Sequence, residues 1–578
     1  MIANYDLLPL SFKAVLLVFA VVLAWLLKTK FPRFLPKLID SLGKISRRPV
    51  LCFLLIFGLT VALNFLCTCA RYPHPRVHDE FSYLLGADTY VNGRLTNPTH
   101  PHWKHFETYH VISQPSYMSK YPPANAASLA VGQVLTGHPI VGSWLTMGLA
   151  LAGLNWMLCG WMSRKWALIG TLLLSLNVAM IMAWGQTYWG GSVQMFGGTL
   201  LFGAIRRIVD PAKRSKPIWV YSIVFGLGAS ILAFSRPFEG LLSCVAAGVV
   251  LFVWLFKTNQ LSFSKKFLQA FVPAGVVGAI AIAVLLANNV AVTGKLSKMP
   301  YSVHSDQYES TSLLIWSALP ELPTYNLSRM EAFYADWVRN RQLESQTPSG
   351  YLRLLAEKAY FLWEYFPFIG GICLIPIFVL FKTNRWLKFA LLAIGGVLLI
   401  EFQLVHSKTY PHYIAPIACL FYFVLFQGMR SWEVAAKRKK SQGIILPTVL
   451  CYSLLLLVTT VGLGMAFSGS SRYEAIEAKL IEQPGDHLVF VRYPEGHNFH
   501  VEMVFNEADI DSARVVWANE LSPDSNLSLA QHFPERKVWI WDLGDWENPL
   551  LVDRLEFNRT NLFSNSGVRP ASARIETK

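Results

Sequence analysis

Runs of about 20 apolar residues, the length needed to cross a bilayer, recur along this chain and fix the kind of fold it can adopt. They lie near 10–27, 50–70, 139–160, 166–184, 190–208, 218–235, 238–256, 269–289, 360–381, 386–404, 411–430 and 444–466. In hydrocarbon every backbone N–H and C=O must be satisfied within the segment or its neighbours, so runs of this length are helices. The expectation is a polytopic α-helical bundle of about twelve transmembrane helices. The run at 190–208 is rich in glycine, and 126–138 is too short to span and is expected at the interface. With 53% hydrophobic and 15% charged residues, the 578-residue chain is far poorer in charge than a soluble domain at roughly 25%.

The net charge of +15 admits a nucleic-acid partner until its placement is considered. About half of the 51 Lys and Arg fall in six short loops, 28–48, 161–165, 206–217, 257–267, 382–388 and 430–441, which alternate with loops poor in basic residues. By the positive-inside rule those six are cytoplasmic. The excess is a topology signal, and nucleic acid is excluded as a partner. The same assignment places 71–138, 289–359 and everything from 467 onward outside, with short outer turns at 185–189, Arg236 and 405–410. The run at 10–27 has no small-residue cleavage site and is followed by a basic loop, so it reads as a retained helix.

All eight cysteines lie in or beside apolar runs, which argues against a disulfide scaffold or a cysteine metal site. Three divisions follow. Residues 1–48 are an extra N-terminal helix and basic loop, 49–466 are a membrane module with large outer loops, and 467–578 are an outer soluble domain. In the last, "HLVFVRY", "ARVVWAN" and "RKVWIWDLG" read as short β-branched and aromatic strands of a small α/β domain.

The stretch "RVHDEFSYLLGADT", from Arg76 to Thr89, places two adjacent carboxylates, Asp79 and Glu80, just past the apolar run that ends at Ala70. One reading is structural: Asp79 caps a helix that runs to Val91 and stops at Asn92–Gly93, and Glu80 complements its dipole. The other is chemical. Six of the 14 histidines fall between 74 and 110. Among them His102, with Glu107, offers ligands for a divalent metal ion, though no spacing matches a metal fingerprint.

An apolar helix that ends in an outer loop opening with "DE" resembles the GT-C class of membrane glycosyltransferases. Within that class the chain resembles the protein O-mannosyltransferase and lipid A aminoarabinose transferase group (glycosyltransferase family 39-like). "DEFSYLLGADTYVNGRL" is similar to that group's acid pair and following helix, and "KYPP", Lys120 to Pro123, to its Lys-Pro-Pro turn. Two departures stand out: the extra helix at 10–27, and Tyr121 splitting the Lys-Pro-Pro turn. The resemblance covers about residues 50–466. It implies inverting transfer of a sugar from a polyprenyl-phosphate donor to a hydroxyl on a lipid, glycan or protein acceptor.

Carried over by position, Asp79 is the general base and Glu80 orients it, the acceptor or a metal. The departing lipid phosphate needs cations at the outer surface. Arg236 in "SRPFEG" and Lys408 with His412 in "VHSKTYPHY" supply them. Lys120, Tyr121, Tyr301 and His304 are candidates for the acceptor or substrate loop. No cofactor is required outright, and the divalent metal stays open. The expected setting is a bacterial inner membrane with the active site in the periplasm or outside the cell, among membrane lipids. In a eukaryotic source the sequons at Asn326, Asn526 and Asn558 would face the ER lumen. The alternative is a secondary transporter or lipid flippase, which would keep charged groups near the bilayer midplane.

Overall fold

The computed structural model describes residues 9–30, 33–257, 261–365, 377–381, 384–404, 410–439, 443–466, 472–544 and 549–551. In chain order its principal helices begin with α1 (Leu10–Lys30), α2 (Phe34–Ile45), α3 (Pro49–Ala70), α4 (His78–Val91) and α5 (Pro123–Thr136). The bundle continues with α6 (Ile140–Trp161), α7 (Arg164–Ser175), α8 (Ser192–Val209), α9 (Ile218–Ala233), α10 (Pro237–Lys257) and α11 (Phe263–Thr293). Then follow α12 (Pro300–Tyr308), α13 (Pro348–Tyr365), α14 (Arg385–Glu401), α15 (Ala415–Arg438) and α16 (Ile445–Ala466). Helices α17 (Arg472–Glu482) and α18 (Pro523–His532) flank the C-terminal strands.

Among the described residues, six helices are long and apolar enough to cross a membrane: α1, α3, α6, α10, α11 and α16. A seventh span results if α7 and Val178–Gly185, bent by 61° to each other, count as one. The expected count of about twelve was larger for identifiable reasons. The 166–184 run breaks where Asn177 Oδ1 accepts the N–H of Met180 at 3.0 Å and starts a new turn. The runs at 218–235 and 386–404 yield helices of 16 and 17 residues, and part of 360–381 lies outside the described residues.

Burial sorts the bundle. In α6, 72% of the most apolar window is inside the protein, against 6% in α11, which turns Val276, Ile280 and Val284 outward. Lipid tails give apolar helices no reason to associate, so close backbone packing must hold the centre. It does so where α8 meets α15: a Cβ on Gly198 would fall 1.9 Å from the carbonyl oxygen of Pro416. In the last turn of α8, Arg207 donates to the carbonyls of Gly203 (2.9 Å) and Trp156 (2.7 Å) and lies 4.0 Å over the Trp156 ring.

The outer segments build the floor of the site. Helix α4 stops at Gly93, whose φ of +69° suits glycine. A small antiparallel sheet in the order β1 (Asn97–Pro98), β3 (Ser116–Ser119), β2 (Val111–Ile112) folds the first loop back onto α4. Ser82 in α4 donates to the His110 carbonyl at 2.7 Å. Helix α5 leaves Val131, Val134 and Leu135 exposed, consistent with an interfacial position.

In the tail, β4 (His487–Arg492), β5 (Val515–Asn519), β6 (Lys537–Asp542) and β7 (Leu550–Leu551) form a sheet in the order β5-β4-β6-β7, parallel except for β7. Strands β4, β5 and β6 are buried on both faces, as their near-continuous apolar runs require. One face packs on Ile476 and Leu480 of α17. The other shares a core with Leu85, Phe106, Val111 and Tyr117 of the first outer loop. The tail is therefore continuous with that loop through a common core.

Arg329, from the second outer loop, ties the three outer parts together. Its guanidinium ion-pairs with Glu502 and donates to Asn519 Oδ1 (2.6 Å) and the Glu107 carbonyl (3.2 Å). The expected sidedness is testable. Cysteines introduced at the exposed positions Ser349 and Ser512 should react with a membrane-impermeant thiol reagent in intact spheroplasts, and one at Ser262 only after lysis. Labelling of Ser262 alone would invert the topology.

Candidate active site

Helix α4 begins at His78, with Val77 in the N-cap position and no side chain capping it. The capping role open to Asp79 is therefore not taken: Asp79 sits one residue inside the helix. Successive helical residues point about 100° apart, so Asp79 and Glu80 face different walls. They do not share one pocket.

The Asp79 carboxylate, 33% exposed, meets groups from three segments. The Tyr121 hydroxyl donates a short hydrogen bond to Oδ1. His78 Nδ1 lies 3.2 Å and His110 Nε2 3.8 Å from Oδ2. Burial works to raise this carboxyl, but His110, His78 and the Tyr121 hydroxyl outweigh it and hold it well below its ordinary value. His110 is itself held well below its ordinary value by burial and by Lys120, against the pull of Asp79. The Tyr121 hydrogen bond favours the Asp79 carboxylate whichever form His110 takes.

Glu80, 1% exposed, accepts the backbone N–H of Arg76 (2.8 Å) on one oxygen and of Tyr188 (3.0 Å) on the other. It clamps the stretch that follows α3 to the 185–189 turn. Burial pushes its carboxyl up to about 7 against those two donors.

Lys120 stands beside Tyr121. Its ammonium is 3.3 Å from Glu309 Oε1, 4.8 Å from the Tyr301 ring centroid and 5.6 Å from that of Tyr121. His304 is fully buried, with Nδ1 3.7 Å from Glu309 and Nε2 3.3 Å from the Tyr334 hydroxyl. Burial and Lys120 push His304 down to about 4. Burial works to raise Glu309, and Lys120 overrides it together with His304 and Ser305. Arg236 lies 4.5 Å over the Tyr413 ring and 3.7 Å from Glu239. Tyr413 and Tyr410 are close enough to Asp79 to feel its charge. His412 packs on Trp189, with ring centroids 4.9 Å apart. Lys408 lies outside the described residues.

The structure thus gathers Asp79, Lys120, Tyr121, Tyr301 and His304 from the sequence expectation and places Arg236 and His412 on the adjoining wall. It adds His78, His110, Glu309 and Tyr413. Glu309 had no signal of its own. It closes the turn after α12, whereas the neighbouring Asp306 points outward to Lys298.

The cation expected of Glu107 and His102 finds no shared site among the described residues. Glu107 accepts the Tyr308 hydroxyl (2.6 Å) and Asn326 Nδ2 (3.1 Å) and serves as a joint between the outer loops. His102 lies instead beside His100 and His532. Two other trios bring one ligating atom each within 4.8 Å of one another: His78, Asp79, His110, and His100, Asp511, His532. In the second, His100 Nδ1 accepts the N–H of His102, which leaves the ring proton on Nε2 facing Asp511 at 2.9 Å. That tautomer offers a cation no lone pair. The first trio has the ligand types a divalent ion takes.

Two further buried carboxylates lie at helix ends on the side of the bundle that carries Asp79. Glu401 ends α14, where the Lys358 ammonium donates to the carbonyls of Glu401 (3.0 Å) and Leu404 (2.8 Å), and Glu239 stands in the first turn of α10. That placement suits a surface site better than a midplane transport path.

No family model matches the chain, and no curated protein matches it. In structure it is similar to the oligosaccharyltransferase of Archaeoglobus fulgidus in its apo form, at a TM-score of 0.43 and 10% identity. That match covers 77% of this chain and 63% of the archaeal one, so this chain spans less than two thirds of it. The oligosaccharyltransferase AglB from Archaeoglobus fulgidus in complex with an inhibitory peptide and a dolichol-phosphate matches at 0.41 and 9% identity, over 84% of this chain and 69% of that one. ArnT from Cupriavidus metallidurans bound to undecaprenyl phosphate matches at 0.45 and 13% identity, over 84% and 92% of the two chains. At such scores and identities these likenesses carry no argument about chemistry.

Glu80 generates a pH prediction. Its folded-state carboxyl, about 7, lies above the ordinary value of about 4.3. The stability it contributes is therefore fully present below pH ~4.3 and is lost as pH rises through about 7. Melting temperatures in detergent from pH 5 to pH 8 should show wild type losing ground to Glu80→Gln as pH rises. A gap that stays constant over that range would refute the assignment.

Proposed function

We propose that this protein is a membrane glycosyltransferase of the GT-C kind. It moves a sugar from a polyprenyl-phosphate donor to an acceptor hydroxyl at the outer face, with inversion. The observation that carries the reading is the Tyr121 bridge: its hydroxyl sits on the Asp79 carboxylate while Lys120 stands over its ring. A base and a cation are thereby held on two sides of one aromatic residue, and the reaction needs both, one for the acceptor's proton and one for the leaving phosphate.

In this mechanism the acceptor oxygen attacks the anomeric carbon as its proton passes to Asp79, and the bond from that carbon to the phosphate oxygen breaks with its electron pair. The lipid phosphate leaves as an anion. Lys120 and Arg236 receive the charge, each already resting on an aromatic face, Lys120 on Tyr301 and Arg236 on Tyr413. His110 and His78 hold the carboxylate in place, and Glu80 fixes the backbone from which Asp79 projects. If a divalent ion takes part, His78, Asp79 and His110 are the residues to hold it, and it would supply further positive charge at the reacting oxygen. The apolar spans beside the site suit a donor whose carrier stays in the bilayer.

Asp79→Asn separates base from scaffold. The carboxamide can still accept the Tyr121 hydrogen bond but cannot take a proton. Sugar release from a panel of undecaprenyl-phosphate hexoses and pentoses, incubated with native membranes, should fall by about 10²–10⁴-fold at a nearly unchanged melting temperature. Lys120→Ala and Arg236→Ala should each reduce turnover and spare expression. An Asn variant as active as wild type would overturn the assignment of Asp79.

A further inference from the structure

On the far side of α4 from Asp79, the outer ends of α3 and α16 flank a second, narrow cleft that opens to the surface. Its walls are apolar: Cys67 and Ala70 from α3, Val461 and Gly464 from α16, and Met182 between them. Gly464 lets the two helices come close at this level, since a Cβ there would lie 3.3 Å from the Ala70 Cβ. Below the rim, Phe65, Leu66, Val458 and Met465 are exposed on the outer surfaces of the same two helices.

The rim is basic. Arg71, Arg76 and His74 line it, with Glu80 as the acid. His74 is engaged by Glu474, and both Glu80 oxygens are taken by backbone N–H groups. Among the described residues no carboxylate lies within ion-pair distance of either guanidinium. Burial, and then the like charge of Arg76, lower Arg71 from its ordinary value, so the two cations stand close enough to repel. Two cations held together at the mouth of an apolar cleft, at the outer end of membrane helices, match an anion that carries a hydrocarbon chain.

We propose that this cleft binds a phosphate-bearing membrane lipid, its headgroup between Arg71 and Arg76 and its chain along α3 and α16. The lipid is a bound ligand and undergoes no reaction. Its site lies behind Glu80, whereas the sugar-transfer chemistry proposed above lies in front, on Asp79. A free phosphate would meet the same cations but would leave the apolar walls unused.

Native mass spectrometry of the full-length protein tests this, with phosphatidylglycerol, phosphatidylcholine and inorganic phosphate as probes. Wild type should retain phosphatidylglycerol over phosphatidylcholine, and the double variant Arg71→Gln, Arg76→Gln should lower that retention by about tenfold or more, the loss expected for charge-assisted contacts. Gly464→Val, which leaves the charges and narrows the channel, should weaken retention of both lipids. Millimolar phosphate should not displace the lipid. Equal retention of the two lipids, undiminished phosphatidylglycerol in the arginine double variant, or displacement by free phosphate would each overturn the proposal. None of these readouts depends on sugar transfer, so failure here and failure of the Asp79 assignment are distinguishable.

Discussion

The helical phase of α4 is the constraint on which the outer half of this protein depends. Because His78, Asp79 and Glu80 already lie in the helix, about 100° separates each from the next, and neighbouring acids cannot act on one centre. The chain uses the divergence. Glu80 turns into the membrane-facing wall and satisfies two backbone donors that would otherwise be buried without partners. Asp79 turns the other way into a pocket built from Tyr121, His78 and His110. One acid holds the backbone still while the other remains ionised and partly exposed.

Keeping a carboxylate ionised next to a bilayer requires that the surrounding charges also be balanced. Desolvation costs several kcal/mol per buried ion unless each finds a partner of opposite sign or a full set of hydrogen bonds. Lys120 rests on Glu309, and Arg329 on Glu502 and Asn519. Each pair joins segments far apart in the chain, so the electrostatics of the site and the assembly of the outer loops are the same set of contacts. Burial, and after it the charge of Lys120, keep His304 neutral even though Glu309 lies beside it.

The sequence made much of this legible because periodicity and charge placement are local properties. The apolar runs mark the helices, the "HLVFVRY", "ARVVWAN" and "RKVWIWDLG" runs became β4, β5 and β6, and Asn92–Gly93 ends α4. Counting spans was harder. A side chain such as Asn177 can break an apolar run without altering its average hydropathy, and the break is visible only where its Oδ1 caps a new turn. The site was legible where a motif placed its residues side by side, as Lys120 and Tyr121 do. It was illegible where a residue enters through tertiary contact. Glu309 differs from Asp306 only in where the end of α12 points it, and Glu107 looked like a metal ligand until Tyr308 and Asn326 occupied its oxygens.

The C-terminal sheet shows how far such tertiary entry extends. Its strands stack against Leu85 and Tyr117, so the sheet and α4 cannot separate without exposing a shared core. From the loop after β4, His500 brings Nδ1 within 3.4 Å of His78 Nε2, and the two rings stack with centroids 5.6 Å apart. Phe499 in the same loop packs on Phe333 and Trp337 of the second outer loop. The imidazole on one side of Asp79 is therefore positioned by the tail, and the imidazole on the other by the first loop. A chain cut after α16 would keep Asp79 and Tyr121 but lose the support of His78 and the Glu502 partner of Arg329. The tail acts as one wall of the site.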